Sequence, residues 1–270
     1  MRQVLAVAAV LVAGCLKSTP FQGEPSETDL TAHQLQKLRE SGEPRGAWSF
    51  LAFGDTHDEY DELERAVGLM NQSDARLALI AGDLADRGTL QEFEWSVEQY
   101  LKLKVPFVTT IGNHDELSGG VKIYERMYGP REYSFVYGGL KFVVFDSNTL
   151  ENPQAPRRDW LTAQVEDHGD AKVVLLMHQA IGAPDDVEGG TNRAFYDELL
   201  QSGDVALVVH GHLDAFQLRR QRGVPVLQCG TFQTQFLYTR VRFDGDSFSF
   251  ETCHIEDCEP REPQAEAEAE

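Results

Sequence analysis

Pro106 to Asp115 reads PFVTTIGNHD. Apolar and β-branched residues run straight into a glycine, an amide, an imidazole and a carboxylate. A short continuous run of this kind is how a strand buried in a sheet looks. The polar tetrad then falls where the strand ends. The arrangement recurs along the chain. WSFLAF (48–53) leads into Gly54-Asp55-Thr56-His57, and RLALIA (76–81) into Gly82-Asp83. KVVLLM (172–177) leads into His178, and VALVV (205–209) into His210-Gly211-His212. Side chains beyond the carboxyl ends of strands in an open α/β sheet converge even when far apart in sequence, and ligands bind there.

Helical patterns alternate with these runs. Glu59 to Asn71 places Leu63, Val67 and Met70 on one face; Phe93 to Leu103, Trp160 to Val165 and Asn192 to Leu200 behave similarly. Strand alternating with helix predicts an α/β domain with a largely parallel sheet. After Gly223 the pattern changes: VPVLQCG, FLYTRVRF and SFSFETC are joined by short polar turns, and predict antiparallel pairing.

The domain spans 47–258 of the 270 residues. Residues 16–46 are polar and read as a flexible tether with one short helix around Leu30 to Leu38; 259–270, EPREPQAEAEAE, reads as a disordered acidic tail. The net charge of -20 disfavours nucleic acid as a partner, although bound divalent cations can reverse the sign of a site locally. Residues 1–15 carry Arg2, an apolar run from Val4 to Val12 and the small residues Ala13-Gly14 before Cys15. The run is too short to span a membrane as a helix, which needs about 20 residues. Its ending resembles a bacterial lipobox, which implies cleavage, a lipidated Cys15 and an extracytoplasmic protein anchored to a membrane surface. Three cysteines remain, Cys229, Cys253 and Cys258, and spacing alone does not choose a pairing. A zinc site at Cys253-His254 with Cys258 lacks a fourth ligand of recognisable spacing.

Taken singly, the polar residues are weak signals. An Asp after Gly, such as Asp83, is usually a turn or a helix cap, and a lone His178 is usually a core or rim histidine. As a set, Asp, His and Asn without a thiolate suit Mn, Fe, Zn or Mg. Asp55-Thr56-His57, Gly82-Asp83-Leu84-Ala85-Asp86-Arg87-Gly88, Gly112-Asn113-His114-Asp115, His178 and Gly211-His212, in that order, resemble the calcineurin-like metallophosphoesterase superfamily. YGPREYSFVYGGLKFVVFDSN (128–148) and Asp159-Trp160-Leu161 are similar to the family as well.

The resemblance implies a four-layer αββα sandwich of two mixed β-sheets flanked by helices, holding two divalent ions. It implies that Asp55 and His57 bind one ion, that Asp83 bridges, and that Asn113, His178 and His212 bind the other. It further implies that the ion pair activates water for attack on a phosphate mono- or diester. His114 would protonate the leaving oxygen or stabilise the charged transition state, with Asp115 orienting its imidazole. Arg87 either contacts a substrate phosphate or holds Asp86. Tyr124, Tyr128 and Tyr133 form a rim or pack inside. The family's last motif is G-H-x-H, whereas this chain has Gly211-His212-Leu213-Asp214. Asp214 is then a substitute ligand, or His210 is recruited in its place, or the first ion is held weakly and the enzyme is impaired. The expectation is a phosphoesterase at the cell envelope. The alternative is a non-catalytic lipoprotein that keeps the fold for binding or scaffolding.

Overall fold

The computed structural model describes residues 23–148, 158–179, 189–232, 238–254 and 257–265. Residues 1–15, with Cys15, lie outside the described residues. The strands are β1 (Trp48–Phe53), β2 (Ala78–Ile80), β3 (Phe107–Thr109), β4 (Tyr133–Tyr137), β5 (Leu140–Val144) and β6 (Lys172–Leu176), then β7 (Val205–His210), β8 (Gln217–Gln221), β9 (Val224–Gln228), β10 (Tyr238–Phe243), β11 (Phe248–Cys253) and β12 (Cys258–Arg261). The helices are α1 (Leu30–Glu40), α2 (Tyr60–Met70), α3 (Leu90–Tyr100), α4 (Gly120–Met127), α5 (Arg158–Glu166) and α6 (Gly189–Gln201).

Every residue of β1 is buried, and its alternation explains the layers. Leu51 and Phe53 face a core shared with α2, α3 and α4, which contribute Leu63, Phe93 and Tyr124. Trp48, Phe50 and Ala52 face the opposite way, into a core shared with Phe142, Val174 and Val209. On the far side, Val173 and Leu175 meet Leu161 of α5 and Leu199 of α6. Three cores between four layers make an αββα sandwich. The strand orders are β12-β11-β10-β1-β2-β3 and β4-β5-β6-β7-β9-β8. β1, β2 and β3 are parallel, as are β5, β6, β7 and β9, while β10, β11 and β12 extend one sheet antiparallel and β4 and β8 form antiparallel edges of the other. Both sheets are mixed, in line with the α/β expectation; of the runs after Gly223, β10 and β11 pair antiparallel as expected, whereas β9 lies parallel to β7 and antiparallel only to β8, because it extends the parallel sheet beyond β7.

Two boundaries differ from the sequence reading. The segment read as a tether contributes α1, whose Leu30 and Leu38 are buried in two of the cores. The Thr31 N–H also donates to the Tyr128 carbonyl at 3.0 Å, so this part of 16–46 belongs to the domain. The acidic tail is ordered at its start. β12 pairs with β11, and Gln264 exchanges backbone hydrogen bonds with Leu218 and Arg220 of the other sheet. Backbone pairing captures this polar segment without help from apolar side chains. Cys253 and Cys258 face each other in the β11–β12 register and form a disulfide, which removes the zinc reading; Cys229 is a buried free thiol. Tyr124 and Tyr128 are buried in the first core, and the Tyr133 hydroxyl donates to the Thr109 carbonyl at 2.9 Å, so these rings pack.

Candidate metal centre

The strand ends meet as the α/β pattern requires. Asp55 and His57 follow β1, Asp83 follows β2, Asn113 and His114 follow β3, His178 follows β6, and His212 follows β7. The chain turns sharply to aim them. Asp55, His57, Asp83 and His212 have φ of 50°, 43°, 50° and 75°, in the left-handed region. Each such residue costs of order 1–3 kcal/mol and persists where surrounding structure fixes it. Glycine allows the loops to close: a Cβ on Gly112 would lie 2.0 Å from Asp83 Oδ1, and one on Gly211 would lie 2.2 Å from Asp55 Oδ2.

Two groups of donor atoms gather within 4.8 Å of one another: His57, Asp83 and His114, and Asp55, Asp83 and His178. Asp83 is common to both. Its Oδ2 lies 3.7 Å from His57 Nε2 and 3.3 Å from His178 Nε2, while its Oδ1 accepts from the His114 N–H at 2.9 Å. Asn113 Oδ1 lies 2.9 Å from both His178 Nε2 and His212 Nδ1, so these three residues form one cluster. His178 Nδ1 donates to the Ala81 carbonyl at 2.8 Å, which turns Nε2 towards the cluster.

The electrostatics are those of a cation site. Burial raises the Asp55 carboxyl well above its ordinary range, and the nearby Asp83 and Asp214 carboxylates add to this against the pull of His178. Burial by itself would raise Asp83, but the imidazoles of His178, His57 and His114 outweigh it and hold it low. Burial would likewise lower His178, yet Asp83 and Asp55 hold it high. Burial lowers His57. Asp55 Oδ2 and His57 Nδ1 are buried without hydrogen-bond partners. Buried polar atoms are normally satisfied, and a divalent ion held beside Asp83 would satisfy Asp55 Oδ2, so the residues present fit the group the motifs imply.

Asp214 stands apart from this cluster. It is exposed, belongs to neither donor group, and accepts from the Thr231 N–H through its backbone carbonyl at 3.3 Å. His210 does not replace it. It is fully buried, its Nδ1 lies 2.9 Å from the Gly211 carbonyl, and burial pushes its imidazole down to about 3. Its neighbour Val209 faces the inter-sheet core, so alternation turns His210 to the other side of the sheet.

Asp115 is placed differently from the expectation that it orients His114. It is fully buried, Oδ1 accepts from the Ala85 N–H at 2.9 Å, and Oδ2 from the Gly112 N–H at 2.8 Å. It ties the Asp83–Gly88 loop to the Gly112–Asp115 loop. A side chain one residue along is drawn inward by two unpaired backbone donors, and the imidazole next to it points out. The partner of that imidazole is Asp86: His114 Nδ1 donates to its carbonyl at 2.8 Å, and its carboxylate lies 3.6 Å from His114 and 3.8 Å from His57. Arg87 is largely exposed and pairs with Asp86 at 3.2 Å. The reading of the motifs passed over Asp86 as a ring partner, although it lies inside the quoted loop. It also passed over Ser147, whose Oγ accepts from the His178 and Gln179 N–H groups at 3.2 and 2.8 Å. The only signal for Ser147 was its place after the 140–144 run.

The sequence profile of the calcineurin-like phosphoesterase family matches residues 49–214. No curated protein matches the chain. Among solved structures, a dimetal phosphatase from Danio rerio superposes with a TM-score of 0.66 at 12% identity, covering 80% of this chain and 99% of that one. GAP50, described as the anchor in the inner membrane complex of Plasmodium, gives 0.63 at 11%, covering 82% and 92%. A purple acid phosphatase from yellow lupin seeds gives 0.63 at 13%, covering 82% and 54%. At these identities the likeness is one of fold.

Proposed function

Because the chain belongs to the calcineurin-like phosphoesterase family, we propose that it is a metal-dependent hydrolase of phosphate mono- or diesters, lipid-anchored at a bacterial cell envelope. The observation that carries the catalytic reading is the buried Asp55 Oδ2, without a hydrogen-bond partner, gathered with Asp83 and His178. In this reading Asp55, His57 and Asp83 hold one ion, with Asp214 contributing from the edge. Asp83, Asn113, His178 and His212 hold a second. Two divalent ions held by these residues would supply activation of water and neutralisation of charge at phosphorus. His114 acts on the leaving group. Its Nδ1 donates to the Asp86 carbonyl, so the doubly protonated ring would present Nε2–H to give a proton to the departing oxygen or a hydrogen bond to the phosphoryl group. Arg87, with most of its side chain in solvent, is available to a substrate phosphate.

The envelope address rests on the apolar run ending at Cys15, and the Cys253–Cys258 disulfide is of a kind that persists outside the reducing cytoplasm. No helix of the described residues is long and apolar enough to cross a membrane. The test of catalysis is hydrolysis of 4-nitrophenyl phosphate and bis(4-nitrophenyl) phosphate by the full chain, with Mn²⁺ and with chelator, beside His114→Ala. Turnover that chelator stops and His114→Ala removes is expected; no turnover with any of several divalent ions sinks the reading. Release from membranes on Cys15→Ser tests the anchor.

One observation favours a second reading, a non-catalytic or impaired scaffold of the same fold: Asp214 stands exposed where the family motif has its last histidine. Metal binding without turnover in that assay is its signature.

A further inference from the structure

Near its end the chain crosses from one sheet to the other. β12 pairs with β11 along its whole length, from Cys253↔Cys258 to Phe250↔Arg261. Three residues on, Gln264 donates its N–H to the Leu218 carbonyl at 2.9 Å and accepts from the Arg220 N–H at 2.8 Å, so it pairs with β8. Packed sheets lie about 10 Å apart and three extended residues span about 10 Å, so the segment passes directly between the two edges. The strands it joins each send a side chain into the inter-sheet core, Phe250 from β11 and Leu218 from β8. Residues 258–264 therefore form a strap across the edges of both sheets.

Side-chain packing does not hold the strap. All four residues of β12 are exposed, Pro260 has no N–H to give, and the Arg261–Glu259 ion pair at 2.9 Å stays within the strap. Besides backbone pairing, β12 is fixed by the Cys253–Cys258 disulfide. A short strand with little buried surface is the kind of element that opens first. The disulfide is reachable: Cys258 is exposed, and both cysteines border a cavity of about 340 Å³ with Leu69, Tyr238, Arg240 and His254. The edge that the strap covers also differs from the edge that it presents. β11 is FSFETC, with two phenylalanines, a threonine and no proline, whereas β12 is CEPR, whose proline and charges blunt an edge.

We infer that residues 258–264 are a redox-latched strap: reduction of Cys253–Cys258 releases it and opens the edge of β11 to strand pairing with a second copy of this chain. The step takes a dithiol. One of its thiolates attacks the exposed Cys258 sulfur, the S–S bond breaks, and Cys253 leaves as a thiolate that takes up a proton. The second thiol of the reductant then displaces Cys258. Two electrons pass to the protein, the reductant ends as a disulfide, and both cysteines end as thiols. β12 is then left to backbone pairing, which a four-residue exposed strand does not sustain. Without it β11 presents a row of unpaired N–H and C=O groups, and an identical edge meets that row antiparallel about a two-fold axis. The strap is independent of the metal centre and of the hydrolase reading.

The test uses the full chain with and without dithiothreitol, beside Cys258→Ser and Gln264→Pro. Trypsin cleavage after Arg261 reads the strap through release of residues 262–270. The oxidised protein is expected to resist, and the reduced protein to lose that peptide about tenfold faster, since such cleavage tracks the population of the open form. Cys258→Ser should match the reduced rate without reductant. Gln264→Pro removes the N–H given to Leu218 and should speed cleavage with the disulfide intact. Cys229 is a buried free thiol and separates strap release from unfolding: in the reduced protein Cys253 and Cys258 should be alkylated while Cys229 is spared. Sedimentation velocity should show a monomer when oxidised and a dimer when reduced. An Arg261 site as resistant after reduction as before overturns the latch, and so does alkylation of Cys229 together with the other two. A reduced protein that is cut at Arg261 and stays monomeric overturns the second-copy interface.

Discussion

His114 Nδ1 lies 2.8 Å from the carbonyl oxygen of Asp86. Because the contact is to a backbone acceptor, it fixes the tautomer and leaves Nε2 free, whatever side chain stands at position 86. His114→Ala is expected to lower kcat about 10²–10⁴-fold, whereas Asp86→Ala, which keeps the carbonyl, should cost less. Metal content measured on the same preparations separates loss of the acid from loss of ions. Equal losses in the two variants would contradict this division of labour.

Protonation at the centre opposes metal binding, and the sign can be worked out. Asp83 and Asp55 raise the folded pKa of His178 above its ordinary 6.5. Its contribution to stability is therefore complete below that value and is lost as pH rises towards the folded pKa. The Asp83 carboxyl is lowered from 3.8, so its own contribution holds above that value and fades only in strong acid. A divalent ion needs the unprotonated imidazole. In chelator, the melting temperature should fall from pH 6.5 to pH 9, while the rise produced by Mn²⁺ should grow over the same interval. Scanning fluorimetry across that range checks both; a Mn²⁺ effect independent of pH would count against His178 as a ligand.

Ser147 is almost wholly buried, and its hydroxyl is the acceptor for two backbone N–H groups, those of His178 and Gln179. Ser147→Ala leaves both donors unpaired at a cost of about 1–3 kcal/mol, and it frees the loop that aims His178. Chemical denaturation should register the loss, and Mn²⁺ affinity should fall with it. Ser147→Thr, which keeps the oxygen, should retain more of both.

Leu38 of α1 is 2% exposed and packs into the inter-sheet core. Leu38→Ala is expected to destabilise the fold by about 2–5 kcal/mol. Removal of residues 1–46 should give an insoluble or molten product, and removal of 1–28 a folded one. Circular dichroism melts of the two truncations distinguish an integral helix from a dispensable spacer.

Asp214 lies outside both donor groups but close enough for its charge to raise Asp55. Asp214→Ala should therefore cost about tenfold in metal affinity, the lower end of what supporting residues contribute at such sites. Asp214→His should tighten binding of zinc relative to the wild type. Titration with a competing chelator measures both, and identical affinities in all three proteins would remove Asp214 from the centre.

The sequence by itself determined the buried strands, because a run such as WSFLAF is buried on both faces and needs no partner to be recognised. It also pointed to the candidate cluster, because Asp55, Asp83, Asn113 and His178 follow such runs and strand ends converge in any α/β sheet. Only the tertiary structure decided the roles of residues whose partners come from elsewhere in the chain. Asp115 turned inward to the N–H groups of Gly112 and Ala85, leaving His114 to Asp86, because unpaired backbone donors in a buried turn draw in the nearest carboxylate. α1 and β12 looked like linker and tail because their composition is polar. α1 is ordered by Leu30 and Leu38 entering two cores, and the start of the tail by pairing of β12 with β11 and of Gln264 with β8, contacts that no local window of sequence contains.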